Sequence, residues 1–181
     1  MKQGLIIIDV QNDYFQGGNM ELVGMEAAAD NCQRLLTRFR DDQAPIFHIQ
    51  HISVRAGASF FVLATVGCET NDRVKPAADE SVTEKNFPSA FRDTGLQGLL
   101  KNAGIEQLVV CGAMTQMCVD TTVRAAFDLG FSCQVISDAC ATRDLEFEGR
   151  TVSASAVQDA FMASLNGLFA IVSTTEDYLV T

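Results

Sequence analysis

Apolar residues follow two rhythms along this chain. GLIIIDV, residues 4–10, is a continuous aliphatic run interrupted by Asp9, the pattern of a central parallel strand buried on both faces. QNDYFQGGN then carries turn chemistry, broken at Gly17-Gly18. From about Met25 to Arg40 the apolar positions are Ala28, Cys32, Leu35, Leu36 and Phe39, which mark one face of a helix. APIFHIQHI reads as a second strand, VTEK as a short strand, FRDTGLQGLLKNAG as a helix and EQLVVCG as the next strand. AMTQMCVDTTVRAAFDLG predicts a helix with Val119, Val123, Ala126 and Phe127 turned inward, stopped by Gly130. FSCQVISDA is a strand, 148–166 a helix and LFAIVST the last strand.

Strand and helix alternate throughout, with no composition break, linker or internal repeat. The pattern predicts one α/β domain over residues 1–181: a doubly wound, mostly parallel sheet of about six strands with helices on both faces, a Rossmann-like three-layer sandwich. Ligands in such sheets bind beyond the carboxyl ends of the strands, where the strand order reverses. Asp9 ends the first strand, and the CGAMTQMC turn follows the strand EQLVVCG, so both belong to one rim. Residues 53–80 form an irregular connection long enough to suggest a functional loop.

Composition narrows the partners. Hydrophobic residues make up 48% and charged residues 20% of the chain, as in an ordinary globular protein. The net charge of −10 argues against nucleic acid or an anionic membrane, which need a basic face. No apolar run approaches the roughly 20 residues of a membrane span. MKQGLIIIDV reads as an opening strand and not as a signal peptide. The six cysteines show no C-x-x-C spacing, and reduced thiols in a cytoplasmic protein are the expectation.

Three side chains carry candidate chemistry. Thr115 is placed to cap a helix beginning at Gln116, which puts Cys118 in its first turn. Free amides and the helix dipole there favour a thiolate, and neighbouring N–H groups suit an oxyanion. Position alone also allows a packing cysteine. Asp9 is costly to bury unless paired or functional, and beside a thiol it would take and return a proton; capping the QNDYF turn is the alternative. Lys85, in VTEKNFPSAF, is by default an exposed lysine, but at a strand end it would hold Asp9 anionic.

IIIDVQNDYF, EKNFPSAF and CGAMTQMCVDTTVRAAFDLGF, in this order and joined by SDACATRD, resemble the isochorismatase-like cysteine hydrolase family, which includes nicotinamidases and N-carbamoylsarcosine amidohydrolases. The resemblance covers essentially the whole chain and implies the same doubly wound fold. It implies an Asp9-Lys85-Cys118 triad that cleaves a C–N bond of a small amide, imide or carbamoyl compound through a thioester. It also implies a non-proline cis peptide at Ala113-Met114, aiming the Met114 and Cys118 N–H groups at the oxyanion. An isochorismatase-type ether hydrolase and an inactive metabolite-binding or oligomeric scaffold are the alternatives. Cys118 favours acyl chemistry, because the ether-cleaving members lack the nucleophilic cysteine.

The nicotinamidase metal site does not carry over. Alignment puts His51 where the metal aspartate would stand and Ser53 where the first histidine would stand, and the third ligand is missing. His48 and His51, three apart on a strand, point to opposite faces. No catalytic metal and no cofactor are expected. Gln116 stands where many relatives have histidine. Asn12, Tyr14, Phe15, His51, Phe60, Phe61, Phe87 and Gln116 are the candidate substrate contacts, and Phe91 also lies in a segment that should flank the pocket. Most phenylalanines are core residues, and that reading stands beside the functional one. The expected partner is a small molecule, with homo-oligomerisation implied by the resemblance.

Overall fold

The computed structural model describes residues 1–180. Six strands form one sheet in which every pairing is parallel: β1 (Gln3–Ile8), β2 (Ile46–His51), β3 (Ser81–Lys85), β4 (Gln107–Ala113), β5 (Ser132–Ala141) and β8 (Ile171–Ser173). Their spatial order is β3-β2-β1-β4-β5-β8. The chain therefore winds outward from β1 in one direction and from β4 in the other, and the order reverses between these two strands. That reversal opens the crevice in which such sheets bind ligands.

β1 shows why the sheet is buried on both sides. Leu5 and Ile7 face the helices α1 (Met25–Asp41) and α5 (Thr175–Leu179), while Ile6 and Ile8 face α2 (Leu96–Asn102), α3 (Asp120–Asp128) and α4 (Ala154–Leu165). Each of these aliphatic side chains contributes about 1.5–3 kcal/mol by leaving water. Ala28, Cys32, Leu35, Leu36 and Phe39 of α1 are all buried, as their spacing predicts. The doubly wound fold is thus the one read from the sequence.

Three local expectations need correction. Residues 148–166 are not one helix: a small hairpin of β6 (Leu145–Phe147) and β7 (Arg150–Val152) precedes α4. Glu148 and Gly149 at its tip both have positive φ, which a helix excludes. The helix predicted over residues 91–104 is confined to Leu96–Asn102. Phe127 is not inward but 38% exposed, packed edge-on against Phe169 at 5.3 Å.

Close approach of β1 and β4 shapes the rim. Ile8 pairs with Gly112, and a Cβ on Gly112 would strike the Ile8 backbone. Gly112 also has φ +119°, where a side chain is strained, and the β4–β5 register slips beside it. Three residues further on, the chain turns into a π-helical turn, Thr115–Val119, that leads into α3.

Candidate active site

Asp9 follows β1 with φ +50°, a left-handed conformation that aspartate tolerates better than most residues. Its N–H donates to the Ile49 carbonyl, and its own carbonyl accepts from Gln11. Lys85 is the last residue of β3, and Cys118 lies in the π-helical turn after β4. The carboxyl ends of three strands, β1, β3 and β4, thus bring three side chains to the rim.

There they meet. Lys85 Nζ lies 2.7 Å from Asp9 Oδ2 and 3.2 Å from Cys118 Sγ. Lys85, far from being an exposed lysine, is 1% exposed, Asp9 0% and Cys118 4%. Asp9 Oδ1 is buried without a hydrogen-bond partner among the described residues, an open acceptor within the cluster. Burial of two opposite charges is stabilising only when the pair is close and further bonded. Here Lys85 also donates to the Phe87 carbonyl at 3.2 Å.

The electrostatics correct one expectation. Burial, and after it the Asp9 charge, push the Cys118 thiol far above its usual range, although Lys85 pulls the other way. The resting group is a neutral thiol and not the thiolate that a helix N-terminus would favour. For Lys85, burial opposes the charge, but Asp9 and Cys118 outweigh it, so its pKa is raised and the ammonium persists. Thr115 does not cap the helix. Met114 occupies that position, and the Thr115 hydroxyl lies 2.7 Å from Gln158 Oε1 and 3.2 Å from the Ala141 carbonyl. The Ala113-Met114 peptide is cis, and the Met114 carbonyl accepts from the amides of Met117 and Val119.

The remaining candidates divide. His51 joins the cluster: its Nδ1 is 3.0 Å from Lys85 Nζ, 3.8 Å from Asp9 Oδ2 and 3.9 Å from Cys118 Sγ. Tyr14, Phe60 and Phe61 form an aromatic wall beside it, with Tyr14 and His51 4.7 and 5.6 Å from the Phe61 ring and Phe60 at 5.1 Å. Burial, followed by the charges of Cys118 and Asp9, raises the Tyr14 phenol well above its normal range. Phe87 contributes its carbonyl, while its ring lies under the Arg92 guanidinium at 3.5 Å. Gln116 accepts from the Thr142 hydroxyl at 2.6 Å and turns its Nε2 toward Met114 Sδ at 3.7 Å.

Asn12 is drawn away from the cluster. Its Nδ2 donates to the Val66 carbonyl and its Oδ1 accepts from Asn71, so its amide holds the long loop. Phe15 packs in the core on the α1 side, with Arg73 5.7 Å from its ring centre. Phe91 stacks on Phe131 at 6.2 Å, on the opposite side of the sheet.

Sequence reasoning missed Gln11 and Asp13, both buried. Gln11 Nε2 donates to the carbonyls of His51 and Cys68, and its Oε1 accepts from the His51 N–H. Asp13 accepts from the Phe61 amide at 2.6 Å and from the Asn19 backbone and side-chain N–H groups at 3.1 Å each. In QNDYF both look like ordinary turn residues, and only their placement beside the buried run GLIIIDV hinted otherwise.

Asp9, His51 and Cys118 offer an oxygen, a nitrogen and a sulfur within 4.8 Å of one another, a donor set that a zinc-like cation accepts. The Lys85 ammonium already stands 2.7, 3.0 and 3.2 Å from those atoms, where such a cation would sit. The donor set is therefore matched to an ammonium. His48 points elsewhere, to Glu80 at 2.8 Å. No helix among the described residues is long and apolar enough to cross a membrane.

Comparison with known proteins agrees along the full length. The Isochorismatase domain profile matches residues 3–177. The isochorismatase family protein YddQ of Bacillus subtilis is 48% identical over 179 residues, covering 99% of each chain. N-carbamoylsarcosine amidase of Arthrobacter is 31% identical over 147 residues, covering 72% of this chain and 56% of that one. The crystal structure of an isochorismatase hydrolase from Oleispira antarctica superposes with a TM-score of 0.96 at 42% identity, covering 99% of this chain and 97% of that one.

Proposed function

The chain belongs to the isochorismatase family of hydrolases, and from that premise we propose that it cleaves a C–N bond of a small amide, imide or carbamoyl compound through a thioester on Cys118. The observation that carries this reading is the convergence of Cys118 Sγ, Lys85 Nζ and the Asp9 carboxylate in one buried cluster. An amidase among the relatives supports the bond type.

The raised thiol sets the order of events. Asp9 accepts the thiol proton as sulfur attacks the carbonyl carbon, so the anionic charge moves from oxygen to sulfur and on to the substrate oxygen. Lys85 stays positive beside both, and the amides of Met114 and Cys118 take the developing oxyanion. Collapse breaks the C–N bond, with the Asp9 proton passing to the leaving nitrogen. Water then adds to the thioester, Asp9 takes its proton, and the C–S bond breaks. The carboxylic acid leaves, and the proton returns to sulfur. The sum is one amide and one water giving one acid and one amine. The wall of Tyr14, Phe60 and Phe61 suits a compact, largely apolar acyl portion.

Incubation with a panel of small amides and carbamoyl compounds, followed by ammonia or amine release, tests the reading. Release by the native protein, loss in Cys118→Ala and indifference to chelator are expected. Turnover that survives Cys118→Ala, or that a chelator abolishes, overturns it. Release of an alcohol or ketone product without amine would favour the ether-cleaving chemistry instead.

A further inference from the structure

We propose that His51, with its backbone held by Gln11, is a positioning residue that aims the Lys85 ammonium at Asp9 and Cys118. The inference rests on the triad reading above and adds a residue to it.

An ammonium carries three N–H groups and no lone pair. Around Lys85 Nζ stand four acceptors: Asp9 Oδ2 at 2.7 Å, His51 Nδ1 at 3.0 Å, and the Phe87 carbonyl and Cys118 Sγ at 3.2 Å each. The ammonium turns about its Cε–Nζ bond, and two fixed acceptors, Asp9 and His51, hold that turn more firmly than Asp9 alone. With two N–H groups so taken, the third falls to the Phe87 carbonyl and the Cys118 sulfur. As the sulfur becomes anionic it outcompetes the neutral carbonyl, because charge-assisted bonds are the stronger.

Because the ammonium can only donate, His51 Nδ1 carries the lone pair and the ring proton belongs on Nε2. The surroundings hold the ring in this role. His51 and Lys85 are directly paired residues of neighbouring parallel strands, so their side chains leave the sheet on the same face. The Gln11 carboxamide clamps the His51 backbone from both sides, accepting from its N–H at 2.8 Å and donating to its carbonyl at 2.9 Å. Phe61, 5.6 Å from the imidazole, is fixed in turn by Asp13 through its backbone N–H. The QND turn after β1 therefore anchors both the strand end that bears His51 and the ring packed against it.

The decisive experiment reads Cys118 itself and needs no substrate. Iodoacetamide alkylation of Cys118, followed by peptide mapping, is compared in the full-length native chain, His51→Ala, His51→Asn and Lys85→Met. His51→Ala should slow alkylation by about 10-fold or more, because an unaimed ammonium stabilises the thiolate less. In His51→Asn the side-chain Oδ1 stands where Nδ1 stood, and the rate should return to within about 3-fold of native. A purely structural histidine would show no such rescue. Native-like alkylation in His51→Ala, or Asn as slow as Ala, overturns the inference while leaving the triad intact. Native-like alkylation in Lys85→Met sinks the triad reading and this inference together. If His51→Ala does not fold, His51→Leu set against His51→Asn makes the same comparison.

Discussion

The strands β2 and β3 carry a carboxylate–cation–histidine cluster at each end, and the two clusters are built to opposite specifications. At the amino end, Glu80 accepts two bonds from the Arg40 guanidinium at 2.7 and 2.9 Å, one from the Ala77 amide at 2.9 Å, and meets His48 Nε2 at 2.8 Å. Both carboxylate oxygens are occupied. The Arg40 bonds lead in lowering Glu80 to about 2, against the opposition of burial, with Ala77 and His48 assisting. At the carboxyl end, Asp9 uses one oxygen and leaves the other bare, and Lys85 is shared among four acceptors. The thiol beside them is held in its protonated form. A carboxylate with both oxygens bonded is a clasp, although His48 Nδ1 beside it is buried without a hydrogen-bond partner among the described residues. A carboxylate with a bare oxygen next to a protonated thiol has a place to put a proton.

Removing Cys118, the proposed nucleophile, breaks this contrast most sharply. Cys118→Ala should lower amide turnover by at least ~10⁴-fold, since members of a nucleophile-and-base unit fail together. Its thermal midpoint should stay near native, because no charge is stranded; a variant that keeps its activity would make the rim a second clasp. Lys85→Met comes next. It leaves Asp9 buried without a cation, and stability should fall by about 3–5 kcal/mol in chemical denaturation. Turnover should fall by roughly 10²–10³-fold, measured where the variant is folded. Substantial destabilisation with unchanged turnover would assign Lys85 to structure alone.

The two clusters were not equally legible. Asp9 stood out because a carboxylate after a run of aliphatic residues has few harmless explanations, and Cys118 because it opens a helix on the same rim. The period of α1 and the unbroken apolar runs of β1 and β4 fixed the layers for the same reason: burial on two faces leaves no polar residue in the pattern. Contact between His51 and Lys85 depends on the β2–β3 register, and a strand does not encode its neighbour's offset. The Arg40–Glu80 clasp likewise joins residues 40 apart through tertiary packing. The β6–β7 hairpin is short and exposed on most positions, so it imposes no periodic signal. The thiol's protonation was misjudged because the sequence shows a helix start but not how deeply it is buried.

Glu80→Gln sharpens the clasp side. With a folded pKa near 2 against an ordinary 4.5, the carboxylate contributes roughly 3 kcal/mol at neutral pH, an upper figure for this network. A depressed carboxylate stabilises above its unfolded pKa and loses that effect as pH falls toward its folded one. The stability gap between native and Glu80→Gln should therefore be full above about pH 5 and close between pH 4.5 and 2. Turnover should not move. A gap independent of pH would mean that the clasp acts by packing and not by charge.

The smallest effect separates two kinds of bare polar atom. Thr83 Oγ1, two residues before Lys85 on β3, is buried without a hydrogen-bond partner among the described residues, as Asp9 Oδ1 is. An unsatisfied hydroxyl has a desolvation cost, and replacing it by a methyl of the same shape removes that cost. Thr83→Val should therefore raise stability by up to about 1 kcal/mol and leave both turnover and Cys118 alkylation unchanged. Asp9→Asn keeps the shape and removes the proposed proton acceptor, so it should silence turnover. If Thr83→Val also impairs turnover, the hydroxyl belongs to the Lys85 environment, and the boundary between the two clusters lies further from the rim than Thr83.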